Sequence, residues 1–249
     1  MIWMTMNRIP GAKIFIDEAF HIHTVRCGHA SADPAETYVQ AACRLGLKRI
    51  TFTDHGPFPG NPFSGRMRIE ELDDYEKELK ALRKQYDRRI DICIGLEIEY
   101  LPEYRSYYEM LHERFDLLLL GQHHTSMPDG RYTFDIDVPK ALAYHQLIES
   151  IPEAIETGLF SAVAHPERDF HEDDRWTEKD TEIKNAIFAA ALQHHVKMEK
   201  NAALLESGGK HQQFRQDIPE QIMMVYGVDA HCPEDIGRRI QLLKTAANE

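Results

Sequence analysis

The sequence predicts a β/α barrel, and three observations carry that expectation. Short apolar runs alternate with amphipathic helical stretches, in about seven strand–helix units. The length of 249 residues suits one such barrel, read as a single domain over 1–249. Six segments place histidine or carboxylate side chains just after an apolar run: His21-Ile22-His23 with His29 close behind, Thr53-Asp54-His55, Gly95-Leu96-Glu97, Gly121-Gln122-His123, Ala164-His165-Pro166, and Gly227-Val228-Asp229-Ala230-His231. In a parallel barrel every strand emerges on the same face at its C-terminal end, so such residues converge.

The elements follow in order. Residues 14–22 form the first strand, although Asp17 and Glu18 weaken its apolar pattern. Asp33-Pro34 supplies an N-cap with proline at the first helical position, and the helix stops at Gly46. Residues 49–53 are a β-branched strand; residues 57–62, rich in Pro and Gly, are a mobile loop. Residues 70–86 form a charged helix with Leu72, Tyr75, Leu79 and Leu82 on one face. A strand over 90–98 carries Glu97, a helix spans 103–114, and the leucine run of 116–121 reads as a buried parallel strand. A helix over 139–158, a strand over 160–164, a helix over 178–194 and a strand over 196–199 come next. Residues 202–214, with Gly208-Gly209, read as loop; residues 222–228 are the last strand and 233–246 the last helix.

Composition narrows the function. Hydrophobic content of 43% can fill a core, and the net charge of −12 with no basic run argues against a nucleic-acid partner. Phosphorylated substrates stay open, because bound divalent ions would supply positive charge. Cys27, Cys43, Cys93 and Cys232 form no CxxC pair and read as thiols of a reducing compartment; Cys27 and Cys232 lie beside the histidine-bearing loops. No leader-like apolar segment or membrane-length run is present, so a cytoplasmic location without membrane partners is expected.

Imidazole and carboxylate are the ligands of catalytic transition metals. His21 and His23, two apart on a strand, would share a face; taken alone they are as readily a polar strand end. His29 alone would be a surface histidine, and Asp54-His55 a capping turn. Glu97 ends a buried strand, where an unpaired carboxylate is costly; Glu99, two residues on, competes with it. His123 is preferred over His124, which would face away. Pro166 favours an extended His165. Asp229 and His231 repeat the i, i+2 spacing. The conjunction decides: seven of the 14 histidines fall at such positions. The others, His112, His124, His145, His171, His194, His195 and His211, read as structural or solvent-facing, and His194-His195 as favouring a helix C-terminus.

With these motifs the chain resembles the PHP (polymerase and histidinol phosphatase) superfamily of metal-dependent phosphoesterases, over about residues 17–243. FTDHGPFP, GRMRIEELDDYEKELKALRKQY and GLEIEYLPEY are similar to its histidinol-phosphatase branch. The resemblance implies a distorted (β/α)7 TIM-like barrel and a site for two or three Zn, Fe or Mn ions. His21, His23, Glu97 and Asp229 would hold one ion, His29, His55 and His231 a second, and Glu97, His123 and His165 a third. It also implies hydrolysis of L-histidinol phosphate by a water that the ions make acidic. Asp229 or His231 would relay a proton. Arg168 is a candidate phosphate clamp, with Arg66 a weaker one; either can be plain surface charge. Pro166-Glu167-Arg168 departs from the branch, while Glu199-Lys200-Asn201 keeps a Glu-x-Asn pattern. Another small or nucleotide-derived phosphoester is the alternative substrate, and a metal-holding module without turnover the alternative class.

Overall fold

Seven parallel strands close into a barrel in the computed structural model, which describes residues 16–135, 137–170, 176–206 and 212–246. In chain order they are β1 (Glu18–Ile22), β2 (Arg49–Phe52), β3 (Asp91–Ile98), β4 (Leu117–Leu120), β5 (Ala162–Val163), β6 (Lys197–Asn201) and β7 (Met224–Ala230). Each pairs with the next and β7 pairs with β1, so no edge is left open. The helices are α1 (Ala35–Arg44), α2 (Leu72–Gln85), α3 (Arg105–Arg114), α4 (Lys140–Glu156), α5 (Glu178–His194), α6 (Ala202–Glu206), α7 (Gln212–Arg215) and α8 (Pro233–Ala246). The expected β/α barrel is therefore what the chain forms.

Strand alternation separates two cores. Outward residues such as Ile50, Phe52, Ile92, Ile94, Leu96, Leu118 and Leu120 pack beneath the helices. Inward residues Phe20, Cys93, Leu117, Leu119, Ala162 and Ala164 fill the barrel axis. The β4 leucines are buried on both faces, which is why that strand reads as an unbroken apolar run. The stripe Leu72, Tyr75, Leu79 and Leu82 is the buried face of α2, and α5 starts in a Thr177–Asp180 capping box.

Several boundaries differ from the sequence reading. Pro34, not Asp33, occupies the cap position of α1; the helix ends as expected, with Gly46 at φ 71°. Residues 202–214 contain two short helices where a loop was expected, because Asn201 Oδ1 accepts the Leu204 N–H and starts α6. The last strand starts later and runs to Ala230, so Asp229 lies inside it. Pro57–Pro62 is anchored by buried Phe58, whose ring meets Phe63 and Tyr104 at 5.1 Å each. All four cysteines are free. No helix among the described residues is long and apolar enough to cross a membrane. The start of the first expected strand, Gly208-Gly209, His171 and His211 lie outside the described residues.

Candidate metal centre

β1 and β7 depart from regular pairing where the site begins. One extra β1 residue is accommodated between Ala19 and Ile22 against β2, and one extra β7 residue between Gly227 and Ala230 against β1. His21 and Asp229 hold left-handed backbones there, φ 72° and 48°. Such bulges re-aim side chains at barrel rims. His21 and His23 do share a face, as their i, i+2 spacing predicts, with Ile22 outward between them; the bulge sets the phase, because Phe20 and His21 in succession both point inward. The reading of His165 is corrected. It is not extended but sits at φ 27°, ψ 54°, held by its N–H on Glu199 Oε2 at 2.7 Å and its ring on Glu97.

Glu97 is the hub. It is 1% exposed, and its two oxygens face five imidazoles from different strand ends and loops. Oε2 lies 3.2 Å from His21 Nε2, 3.3 Å from His23 Nε2 and 3.2 Å from His55 Nδ1; Oε1 lies 3.0 Å from His165 Nε2 and 3.6 Å from His123 Nε2. Gly121 makes this possible, since a Cβ there would lie 2.2 Å from Glu97 Oε1. Asp229 Oδ1 adds contacts at 3.6 Å to His23 Nε2, 3.9 Å to His21 Nε2 and 3.5 Å to His231 Nδ1. His29 closes the far side, with its Nε2 2.9 Å from His231 Nε2. All nine predicted residues therefore converge. Donor groupings among them include His21–His23–Asp229, His21–Glu97–His165 and His23–His55–His231, and the His55 ring lies 4.6 Å from that of His23 and 5.4 Å from that of His29.

The outward partners of these rings reveal what the cluster is built to hold. His21 Nδ1 donates to Glu199 Oε1 at 2.6 Å and His123 Nδ1 to Glu99 Oε1 at 3.0 Å. His29 Nδ1 donates to the Cys27 carbonyl at 3.0 Å and His231 Nδ1 to the Asp229 carbonyl at 3.1 Å. A neutral ring has one N–H, so each Nε2 is left as a lone pair. Those lone pairs point at carboxylates or, for His29 and His231, at each other. His21 Nε2, His23 Nδ1, His55 Nδ1 and His165 Nδ1 are buried without a hydrogen-bond partner. Such an arrangement is repulsive until a cation enters, and it is the outer support that metal-binding imidazoles require.

Without an ion, a proton takes its place at His21: burial opposes the charged ring, yet the carboxylates of Glu199, Glu97 and Asp229 hold its pKa well above the ordinary range. Burial likewise opposes ionisation of Glu97 and Asp229, but the surrounding imidazoles keep both well below the usual carboxylate range. His231 is pushed down to about 4 by burial and by His23. Burial pushes Asp54 up to about 6; its Oδ1 accepts the Thr24 N–H at 2.7 Å and hydroxyl at 3.0 Å, so Asp54 fixes the turn after β1.

The remaining candidates separate. Glu99 does not enter the cluster; it orients His123 and takes both arms of Arg66, at 2.7 and 2.9 Å. Arg66 is thereby engaged as the ion-pair partner of Glu99. Arg168 is exposed and makes no ion pair among the described residues; burial and its charge oppose a protonated His165, but Glu97 outweighs them and holds that pKa above the ordinary range. His124 faces away, its ring 4.5 Å from Phe63 and 5.2 Å from Phe134. Cys232 is half-buried, and Cys27 is buried beside His29. Glu199 was not singled out as a site residue. The rule that found Glu97, a carboxylate on the inward face of a strand, would have found it.

Known proteins give the same picture. A protein of Deinococcus radiodurans named probable histidinol-phosphatase is 33% identical over 162 residues, 58% of each chain. A Bacillus subtilis histidinol-phosphatase is 35% identical over 92 residues, 34% of each chain. The matched stretch thus spans little more than half, and about a third, of those relatives. In fold the chain is similar to histidinol phosphate phosphatase from Lactococcus lactis, solved with zinc, L-histidinol and phosphate: TM-score 0.71, 17% identity, covering 93% of this chain and 94% of that one. The model of the PHP domain matches residues 19–203, from β1 through β6, and with the barrel and its histidine-ringed carboxylate in place the chain belongs to the PHP domain family.

Proposed function

We propose that the chain is a metal-dependent phosphomonoesterase whose substrate is L-histidinol phosphate. One observation carries the reading: four imidazoles give their Nδ1–H to outer acceptors and turn bare Nε2 atoms onto a buried carboxylate cluster or onto one another. The names of the two curated relatives, and the ligands of the Lactococcus structure, support the substrate. His21, His23, His29, His55, Glu97, His123, His165, Asp229 and His231 would hold two or three ions, with Glu97 shared. Imidazole-rich sites suit zinc, iron or manganese. Bound there, such ions make a water acidic and neutralise phosphate charge.

The chain's own groups do the rest. Arg168, three residues beyond His165 and exposed, offers its guanidinium fork to the phosphate oxygens. As the water oxygen bonds to phosphorus and the ester phosphorus–oxygen bond breaks, Asp229 or His231, 3.5 Å apart at the rim, would relay the water's proton to the departing alkoxide oxygen. Glu97 keeps the imidazoles at fixed spacing. The products are an alcohol and inorganic phosphate. The whole of 1–249 would act as one domain in the cytoplasm, on a small substrate and without nucleic acid.

Elemental analysis of reconstituted protein, then turnover of L-histidinol phosphate beside a panel of small and nucleotide-derived phosphoesters, tests this. Two or three ions per chain and a clear preference for histidinol phosphate are expected. Less than one ion per chain after loading with each metal defeats the metal reading. Preference for another ester moves the substrate and leaves the chemistry.

A further inference from the structure

Three of the clustered residues have left-handed backbones: His21 on β1, His165 after β5 and Asp229 on β7. L-residues adopt that region at a cost and stay there only when neighbours hold them. The three lie far apart in sequence, yet β6 reaches all of them. Glu199 Oε1 accepts the His21 Nδ1–H at 2.6 Å, and Oε2 accepts the His165 backbone N–H at 2.7 Å and Asn201 Nδ2 at 3.0 Å. Asn201 Nδ2 also reaches Asp229 Oδ2 at 3.2 Å, while its Oδ1, engaged by the Leu204 N–H at 3.1 Å, fixes which way the amide faces. Glu199 is 2% exposed and Asn201 0%. Space is cleared for the Glu199 carboxylate, since a Cβ on Gly227 would lie 1.6 Å from Oε1 and 2.4 Å from Cδ.

We propose that Glu199 and Asn201 are positioning residues, a brace on β6 that holds the strained ends of β1, β5 and β7 in their metal-binding form and fixes His21 as the Nδ1–H tautomer. The proposal rests on the metal-centre reading above. A carboxylate can accept three donors at once; glutamine offers one acceptor oxygen and a competing N–H₂, so in Glu199→Gln at least one donor meets a donor. The brace acts through the ligands, so its loss is read in metal binding and in the tautomer.

The test uses the full chain, stripped of metal. Zinc affinity is measured by competition with a chromophoric chelator. The His21 tautomer is read from imidazole ¹⁵N resonances, assigned by their loss in His21→Gln and recorded at a pH high enough for the ring to be neutral, and folding is followed by circular dichroism. Wild type should bind zinc and show His21 protonated at Nδ1. Glu199→Gln should stay folded, weaken at least one zinc by about 10–100-fold and lose that tautomer preference. Gly227→Ala, which changes no charge and has ordinary backbone, should weaken zinc similarly by displacing the carboxylate. Should Glu199→Gln not fold, Asn201→Ala decides: it releases Asp229, removes one of the three donors on Glu199 and leaves the His21 Nδ1–H on Glu199 in place, so it should weaken zinc with the His21 tautomer intact. A folded Glu199→Gln with wild-type zinc affinity and an unchanged tautomer overturns the brace, as does wild-type affinity in Asn201→Ala when that variant carries the test. A wild type that binds no zinc, iron or manganese overturns the metal reading itself, and the brace with it.

Discussion

Glu97→Gln replaces the hub by an amide of the same shape. Its oxygens now meet His21, His23, His55 and His165 at 3.0–3.3 Å and His123 at 3.6 Å. The amide carries no charge to hold cations between the rings, and its N–H₂ end bonds directly to bare ring nitrogens and blocks them as metal ligands. Removing one partner from a buried charged pair costs about 3–5 kcal/mol. At 1.36 kcal/mol per tenfold, kcat/KM should fall roughly 10²–10⁴-fold, with metal content falling too. His124→Ala is the matched comparison. That ring is buried among Phe63, Tyr132 and Phe134, so its loss should lower the melting temperature and leave metal content intact. The assay is elemental analysis and kcat/KM on L-histidinol phosphate for both variants, with folding checked by circular dichroism. A Glu97→Gln protein with wild-type metal content and turnover would refute the reasoning; equal losses in both folded variants would place His124 in the cluster.

Arg168→Ala should raise KM for phosphomonoesters with metal content unchanged; a charge-assisted bond contributes roughly 1.5–3 kcal/mol, a loss of about 10–100-fold in kcat/KM, and unaltered kinetics would make it surface charge. Arg66→Ala should act on stability instead, because Glu99 is left buried without its guanidinium; a loss of about 3–5 kcal/mol in urea unfolding is expected, and an unshifted midpoint would contradict the pairing. Stripping metal from the wild type should remove about 2.7 kcal/mol for an ion held at a hundred times its Kd, or about 5–11 °C in Tm for a chain of this size; identical melting with and without chelator would speak against bound ions. Burial raises the pKa of Glu18 above 4.5 despite the Thr51 hydroxyl donating to it at 2.5 Å. The folded state therefore holds that proton more tightly than the unfolded chain. This contribution is full below pH 4.5 and is lost as pH rises through the folded value, so Glu18→Gln should flatten the decline in stability above pH 4.5; parallel stability curves from denaturation at stepped pH would contradict it.

What the sequence by itself determined was the periodic elements. Apolar alternation and the 3.6-residue stripe located seven strands and the long helices, with α5 and α8 placed to the residue, because those patterns are set by near neighbours. A parallel barrel then brings strand ends to one face, so nine candidate ligands could be named before any distance was known. The tertiary structure alone decided how each side chain is aimed. Pro166 locally favours an extended His165, but Glu199, 34 residues on, holds its N–H and turns the backbone. The phase that aims both His21 and His23 inward comes from a bulge visible only in pairing with β2. Glu99 and Arg66 found each other 33 residues apart, and Glu199 became visible because His21, 178 residues away, donates its Nδ1–H to it. Backbone strain, tautomer and ion pairing depend on contacts between strands that are remote along the chain, and periodicity along a single strand does not encode them.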